Sequence, residues 1–86
     1  MSAIGEAKER IAAASDEADQ AIGAVGQAVQ SVDEALSLIG QAAEDSGHDK
    51  VEEAQRMYAE SKEKLEEAVT LLNGAKETAD EYAANL

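Results

Sequence analysis

Apolar residues recur at every seventh position through nearly the whole chain. In the first half the repeat is Ile4, Ile11, Ala18, Val25, Val32 and Ile39, accompanied three residues on by Ala7, Ala14, Ala21, Ala28, Ala35 and Ala42. In the second half it is Val51, Tyr58, Leu65, Leu72, Ala79 and Leu86, accompanied by Ala54, Ser61, Ala68, Ala75 and Tyr82. This spacing places both sets on one face of an α-helix and is typical of helices that pack side by side. The chain has no proline to interrupt such helices, so the pattern predicts an all-α fold.

A short stretch of turn residues separates the two repeats. Gly47 can adopt the left-handed conformation that ends a helix, and Asp49 with Glu52 fits a capping box that starts the next one. We therefore predict one domain, 1–86, with a helix over about 3–45, a turn over 46–49 and a helix over about 50–85. So short a connection folds the helices back as an antiparallel two-helix hairpin, coiled-coil-like, with an alanine-rich seam.

A hairpin of this composition buries only one narrow stripe on each helix. Such limited burial offsets the ordering entropy of about 80 residues poorly. We therefore expect the hairpin to associate, as a homo-oligomer (a dimer forming a four-helix bundle) or with a helical protein partner. On the outer faces we expect ion pairs four residues apart: Glu6 with Arg10, Glu52 with Arg56, and Glu60 with Lys64.

The middle of the first helix has an unusual neutral band. No charged residue occurs between Gln20 and Val32, and the stretch includes Gly23 and Gly26, each of which costs about 1 kcal/mol relative to alanine inside a helix. One interpretation is that another helix lies on this smooth surface; the other is tolerated drift on a solvent face. The candidate interaction residues are Ile22, Gly23, Gly26, Val29, Gln30, Leu36, Met57, Val69 and Leu71.

Charge and residue inventory argue against several classes of function. The net charge of −12 would repel nucleic acid and anionic membranes. There is no cysteine and one histidine, His48, which a turn exposes to solvent more often than it builds into a metal site. No phosphate-binding loop or nucleophile motif is present. We expect no enzyme activity, no catalytic residues, no cofactor and no metal.

The compartment is predicted from two absences. No apolar run approaches the roughly 20 residues of a membrane span, and the N-terminus does not have the basic-then-apolar pattern of a cleaved signal. We expect a cytoplasmic protein, with export without a leader as the other option.

The acidic hairpin plan, with Ser46-Gly47-His48 in the turn, resembles the small WXG-motif proteins of type VII secretion, which have Trp-x-Gly at that point. The Ser46-Gly47-His48 turn and the Tyr82-Ala83-Ala84-Asn85-Leu86 end are also similar to those of small actinobacterial hairpins that accompany toxins. These resemblances imply a non-catalytic interaction module, an adaptor or export partner of a larger secreted or toxin protein. The alternative is a stand-alone homodimeric helical bundle with a structural or regulatory role.

Overall fold

The chain folds into two long α-helices joined by a two-residue turn. The computed structural model describes residues 2–86; α1 spans Ala3–Ser46 and α2 spans Asp49–Ala84. The all-α fold and the hairpin are thereby confirmed, with helix boundaries within a residue of those expected from the sequence.

Each end of α1 has a residue suited to that position. Ser2 is the N-cap, and its Oγ accepts a hydrogen bond of 3.0 Å from the Gly5 N–H. Gly47 ends the helix with φ 53° and ψ 26°, a left-handed conformation that glycine adopts without steric cost, and its N–H donates to the Ala43 carbonyl at 2.9 Å. The predicted role of Gly47 is correct.

The start of α2 differs from the expected capping box. His48, not Asp49, is the N-cap, and its Nδ1 accepts a hydrogen bond of 3.0 Å from the Lys50 N–H. Asp49 and Glu52 lie in the first helical turn, where their charges interact favourably with the positive end of the helix dipole. The capping box was wrong because α2 begins one residue earlier than the sequence suggested, immediately after Gly47 and the imidazole.

The helices run antiparallel along the whole molecule. Ser15 contacts Asp80, Asp19 contacts Lys76, and Asp33 contacts Lys62. In each of these pairs the two residue numbers add up to 95, which gives one constant register. The result is a rod of 65 × 15 × 13 Å.

The seam follows the predicted repeat closely on α1 and less closely on α2. On α1 the repeat from Ile11 to Ile39 is half-buried, whereas Ile4 and Ala14 are exposed. On α2 the exposed members of the predicted seam are Tyr58, Ser61, Ala75, Tyr82 and Leu86. Half-buried instead are the residues four positions after each repeat: Gln55, Lys62, Val69, Lys76 and Ala83.

This rotation of α2 has a physical cause in the two lysines. Lys62 and Lys76 reach acidic residues of α1, and their aliphatic stems cover the seam while their ammonium groups remain near solvent. Turning these stems towards α1 turns the side chains of Ser61, Ala75 and Tyr82 away from it. The expected seam positions of Tyr58 and Tyr82 were therefore wrong.

The fold leaves its seam only partly covered. No residue whose side chain the structure describes is fully buried. The accessible surface is 6182 Å², whereas a compact protein of 9.0 kDa exposes about 4,900 Å². The hairpin therefore has a seam but no closed core.

Candidate helix-binding surface

One long side of the hairpin is held together by polar contacts, and we call it the ion-pair side. Lys62 Nζ lies 2.8 Å from Asp33 Oδ1, Lys76 Nζ bonds Asp19 Oδ1, and Ser15 Oγ donates to Asp80 Oδ1 at 3.1 Å. Successive members of this row are four or fourteen residues apart on each helix, so they follow the rod axis.

The hydrogen bonds on the ion-pair side stabilise the charged lysines. The hydrogen bond to Asp33 raises the pKa of Lys62 above its ordinary value of 10.5, and the charge of Asp33 adds to the effect. The hydrogen bond to Asp19 raises the pKa of Lys76 in the same way. These two pairs therefore act as polar links between the helices at neutral pH.

The ion pairs predicted along each helix are not those that form. Among the described residues, Lys64 pairs with Glu67 at 3.6 Å and not with Glu60, and Lys50 pairs with Glu53 at 3.4 Å. No ion pair joins Glu6 to Arg10 or Glu52 to Arg56 in this part of the chain. Both observed pairs are three residues apart, and all four groups are largely exposed, so each contributes little to stability.

The opposite long side carries large apolar side chains in contact with solvent, and we call it the open side. Its α2 row contains Met57, Leu71 and Tyr82, which are 61%, 74% and 59% exposed. Ile11 of α1 borders the same shallow groove as Leu71 and Tyr82. Leu38, 57% exposed, lies on this side of α1, because it is three residues beyond the seam residue Ala35 and far around the helix from Asp33. Exposed apolar side chains grouped on one side of a protein often mark an interaction site.

The nine interaction residues predicted from the sequence do not form one surface. Five of them lie on the ion-pair side. On α1 they are in line with the acidic row or three residues beyond it, and on α2 the single member lies between the two lysines. They are Ile22, Gly26, Val29, Leu36 and Val69. Gly23 and Gln30 are exposed on the outer face of α1, and no atom lies within 4 Å of a β-carbon built on Gly23 or Gly26. Met57 and Leu71 lie on the open side. The predicted set therefore mixes three faces of the hairpin.

Sequence reasoning left Tyr82 out of the interaction set. A signal was available, because α2 carries a second seven-residue repeat offset from the first. Its small and apolar members are Ala54, Met57, Ser61, Ala68, Leu71, Ala75, Thr78 and Tyr82, interrupted by Lys64. Two overlapping repeats on one helix indicate two packing partners, one on each flank.

The part of the chain that the structure describes contains no group of three or more histidine, cysteine or acidic side chains placed to hold a metal ion. The imidazole of His48 accepts the backbone hydrogen bond that caps α2. Over the same residues, neither helix has a stretch long and apolar enough to cross a membrane.

Comparisons with protein-family models, with curated proteins and with solved structures gave no significant match to this chain.

Proposed function

We propose that this protein is a non-catalytic helical interaction module that completes its hydrophobic core by binding other helices. The observation that carries the proposal is the complete lack of buried residues among the side chains described, together with exposed leucine, methionine and tyrosine on one side. Helices whose apolar stripes remain in water gain stability by covering them.

A four-helix bundle is the structure that such binding would produce. Two antiparallel helices supply half of a bundle, and two further helices laid on the open side would bury Leu38, Met57, Leu71 and Tyr82 in a common core. The additional helices can come from a second copy of this chain. They can also come from a larger protein, which is the adaptor or export-partner role that the resemblance to secreted hairpins implies.

Sedimentation equilibrium and urea unfolding over a range of concentrations test the proposal. We expect the mass to rise above 9.0 kDa with concentration, and the urea midpoint to rise with it, because association stabilises the folded state by mass action. For the adaptor role, the chain is mixed with the helical region of the protein encoded beside it, and a complex with a raised melting temperature is expected. A 9.0 kDa species with a constant midpoint, unaffected by that protein, would contradict the proposal.

A further inference from the structure

We infer that the open side is covered by the open side of a second copy, with both turns at the same end, so that α2 of each copy lies on α1 of the other. This inference rests on the proposed function and specifies its partner and geometry. It is carried by the charge, the area and the shape of the open side.

The charge of the open side differs from that of the rest of the molecule. The helical rows that form it contain three basic residues and two acidic ones, namely Arg10, Lys50, Lys64, Glu17 and Asp45. They give this side a charge of +1, which leaves −13 for the other residues of a chain with net charge −12. Two open sides can therefore meet without bringing like charges together, whereas any other pair of sides would oppose two strongly acidic surfaces. A strongly basic partner would be drawn to the other faces instead.

The area of the open side is sufficient for a stable dimer. It extends along a rod of 65 Å by 15 Å, so covering it removes on the order of 1,000 Å² of surface from each copy, compared with about 800 Å² per partner in standard interfaces. The surface in excess of a compact chain of this mass, about 1,300 Å², is of the same order.

The two helices contribute complementary shapes to the open side. The α1 part is lined by the alanine row from Ala7 to Ala42 with one large exposed side chain, Leu38, whereas the α2 part carries Met57, Leu71 and Tyr82. Large side chains of one copy fit best over small ones of the other, so α2 should lie on α1 of the second copy. In a two-fold symmetric dimer this placement requires both turns at the same end.

The outer edges of the open side favour the same arrangement. On α2 the edge carries Glu53, Glu60, Glu67 and Glu81, whereas on α1 the corresponding row contains Ala13, Gln20, Gln27 and Gln41 with two glutamates. Turns at opposite ends would set α2 against α2 and bring the two glutamate rows side by side. With turns at the same end, each glutamate row faces mainly glutamines. The lack of charge in the neutral band of α1 therefore reduces repulsion at this edge of the dimer.

The constant register fixes which residues meet. With both turns at one end, residues whose numbers add up to about 95 lie at the same height in both copies. Leu71 then faces Ala24 of the second copy, and Met57 faces Leu38. Lys50 comes close to Asp45, an attractive pair at the turn end.

A matched pair of charge substitutions identifies the side. Leu71→Glu adds one charge on the open side, and Asn73→Glu adds the same charge two residues away on the ion-pair side. We expect Leu71→Glu to raise the dimer dissociation constant at least tenfold, because the dimer loses two leucine contacts and gains two buried charges, with about 1.4 kcal/mol per tenfold change. Asn73→Glu should leave it nearly unchanged. Circular dichroism should show that both variants remain helical, because both positions are exposed. The reverse order of effects would overturn the inference.

A single distance identifies the arrangement. The chain has no cysteine, so Glu44→Cys, exposed on the outer face near the turn, can carry one spin label in each copy. Turns at the same end place the labels within about 30 Å, because a bundle is only two to three helix diameters across. Turns at opposite ends place them close to the 65 Å length of the rod apart. A long distance would refute the arrangement while leaving association intact. A monomer without any dipolar signal would refute the second copy as the partner, and the proposed function would then depend on binding the helices of another protein.

Discussion

At the scale of single residues, His48 is an unusual N-cap for a helix. Serine, threonine, aspartate and asparagine are the favoured helix N-caps, yet here an imidazole nitrogen accepts the Lys50 N–H. Its neighbours Asp45 and Asp49 are both acidic, so a cap other than aspartate avoids a third carboxylate in the turn.

Replacing His48 tests the contribution of this cap. His48→Ala removes the acceptor and should lower the free energy of unfolding by about 0.5–1 kcal/mol, whereas His48→Asn supplies a favoured cap and should raise it by a few tenths of a kcal/mol. Urea unfolding at neutral pH measures both changes. Ser2→Ala, which removes the corresponding cap of α1, is the control. An unchanged His48→Ala variant would show that water replaces the imidazole without cost.

At the scale of the helices, the two glycines in the middle of α1 separate two explanations of the neutral band. A β-carbon at Gly23 or Gly26 would find open space, so Gly23→Ala and Gly26→Ala should each raise the free energy of unfolding by up to about 1 kcal/mol. Neither glycine lies on the open side, so the dimer dissociation constant should not change. Urea unfolding and sedimentation equilibrium measure the two quantities. Weaker association of both variants would instead place a partner helix on the glycines.

The ion pairs of Lys62 and Lys76 make the stability of the hairpin depend on pH in the alkaline range. Below 10.5, Lys62 and Lys76 are protonated in both the folded and the unfolded chain, so their stabilising contribution is fully present. As the pH rises through the raised pKa values of the folded chain, the ammonium groups lose their protons and the contribution disappears. A variant with Lys62→Arg and Lys76→Arg stays charged at these pH values. Urea unfolding above pH 10.5 should show a larger loss of stability for the unaltered protein than for the variant, and equal losses would contradict this.

The sequence predicted the helices well because one repeat specified them. The apolar repeat of α1 lies on one face of the helix, so it predicts packing against a single neighbouring helix. Gly47 suits the end of the first helix, so the fold class and the turn followed directly. The rotation of α2 could not be predicted in this way. From the sequence alone, Lys62 is expected at the surface, and only the structure shows its contact with Asp33 of the other helix. This contact determines that Lys62, and not Ser61, lies in the seam. The candidate surface was divided among three faces for the same reason.

At the scale of the whole molecule, net charge opposes the association that the open side favours. Each copy carries −12, so a dimer brings together two acidic rods whose repulsion acts over about 10 Å at 0.1 M salt. Raising the salt from about 0.05 to 0.5 M should therefore strengthen dimerisation, because the contact itself is nearly neutral and apolar. Sedimentation equilibrium at several salt concentrations measures the effect. Dimerisation that weakens as salt is added would show that ion pairs dominate the contact.

The constant register of the rod governs how the protein opens and how it can change length. Paired residues are fifteen positions apart near the turn, where Gly40 lies beside Gln55, and 65 apart where Ser15 meets Asp80. Each layer contacts only the layers above and below it, so we expect unfolding to start at the end of the rod farthest from the turn and to proceed towards Gly47. Adding matched seven-residue segments to both helices should therefore lengthen the rod, and removing them should shorten it, without any change in the turn. Each added or removed pair of segments should change the free energy of unfolding by a similar amount.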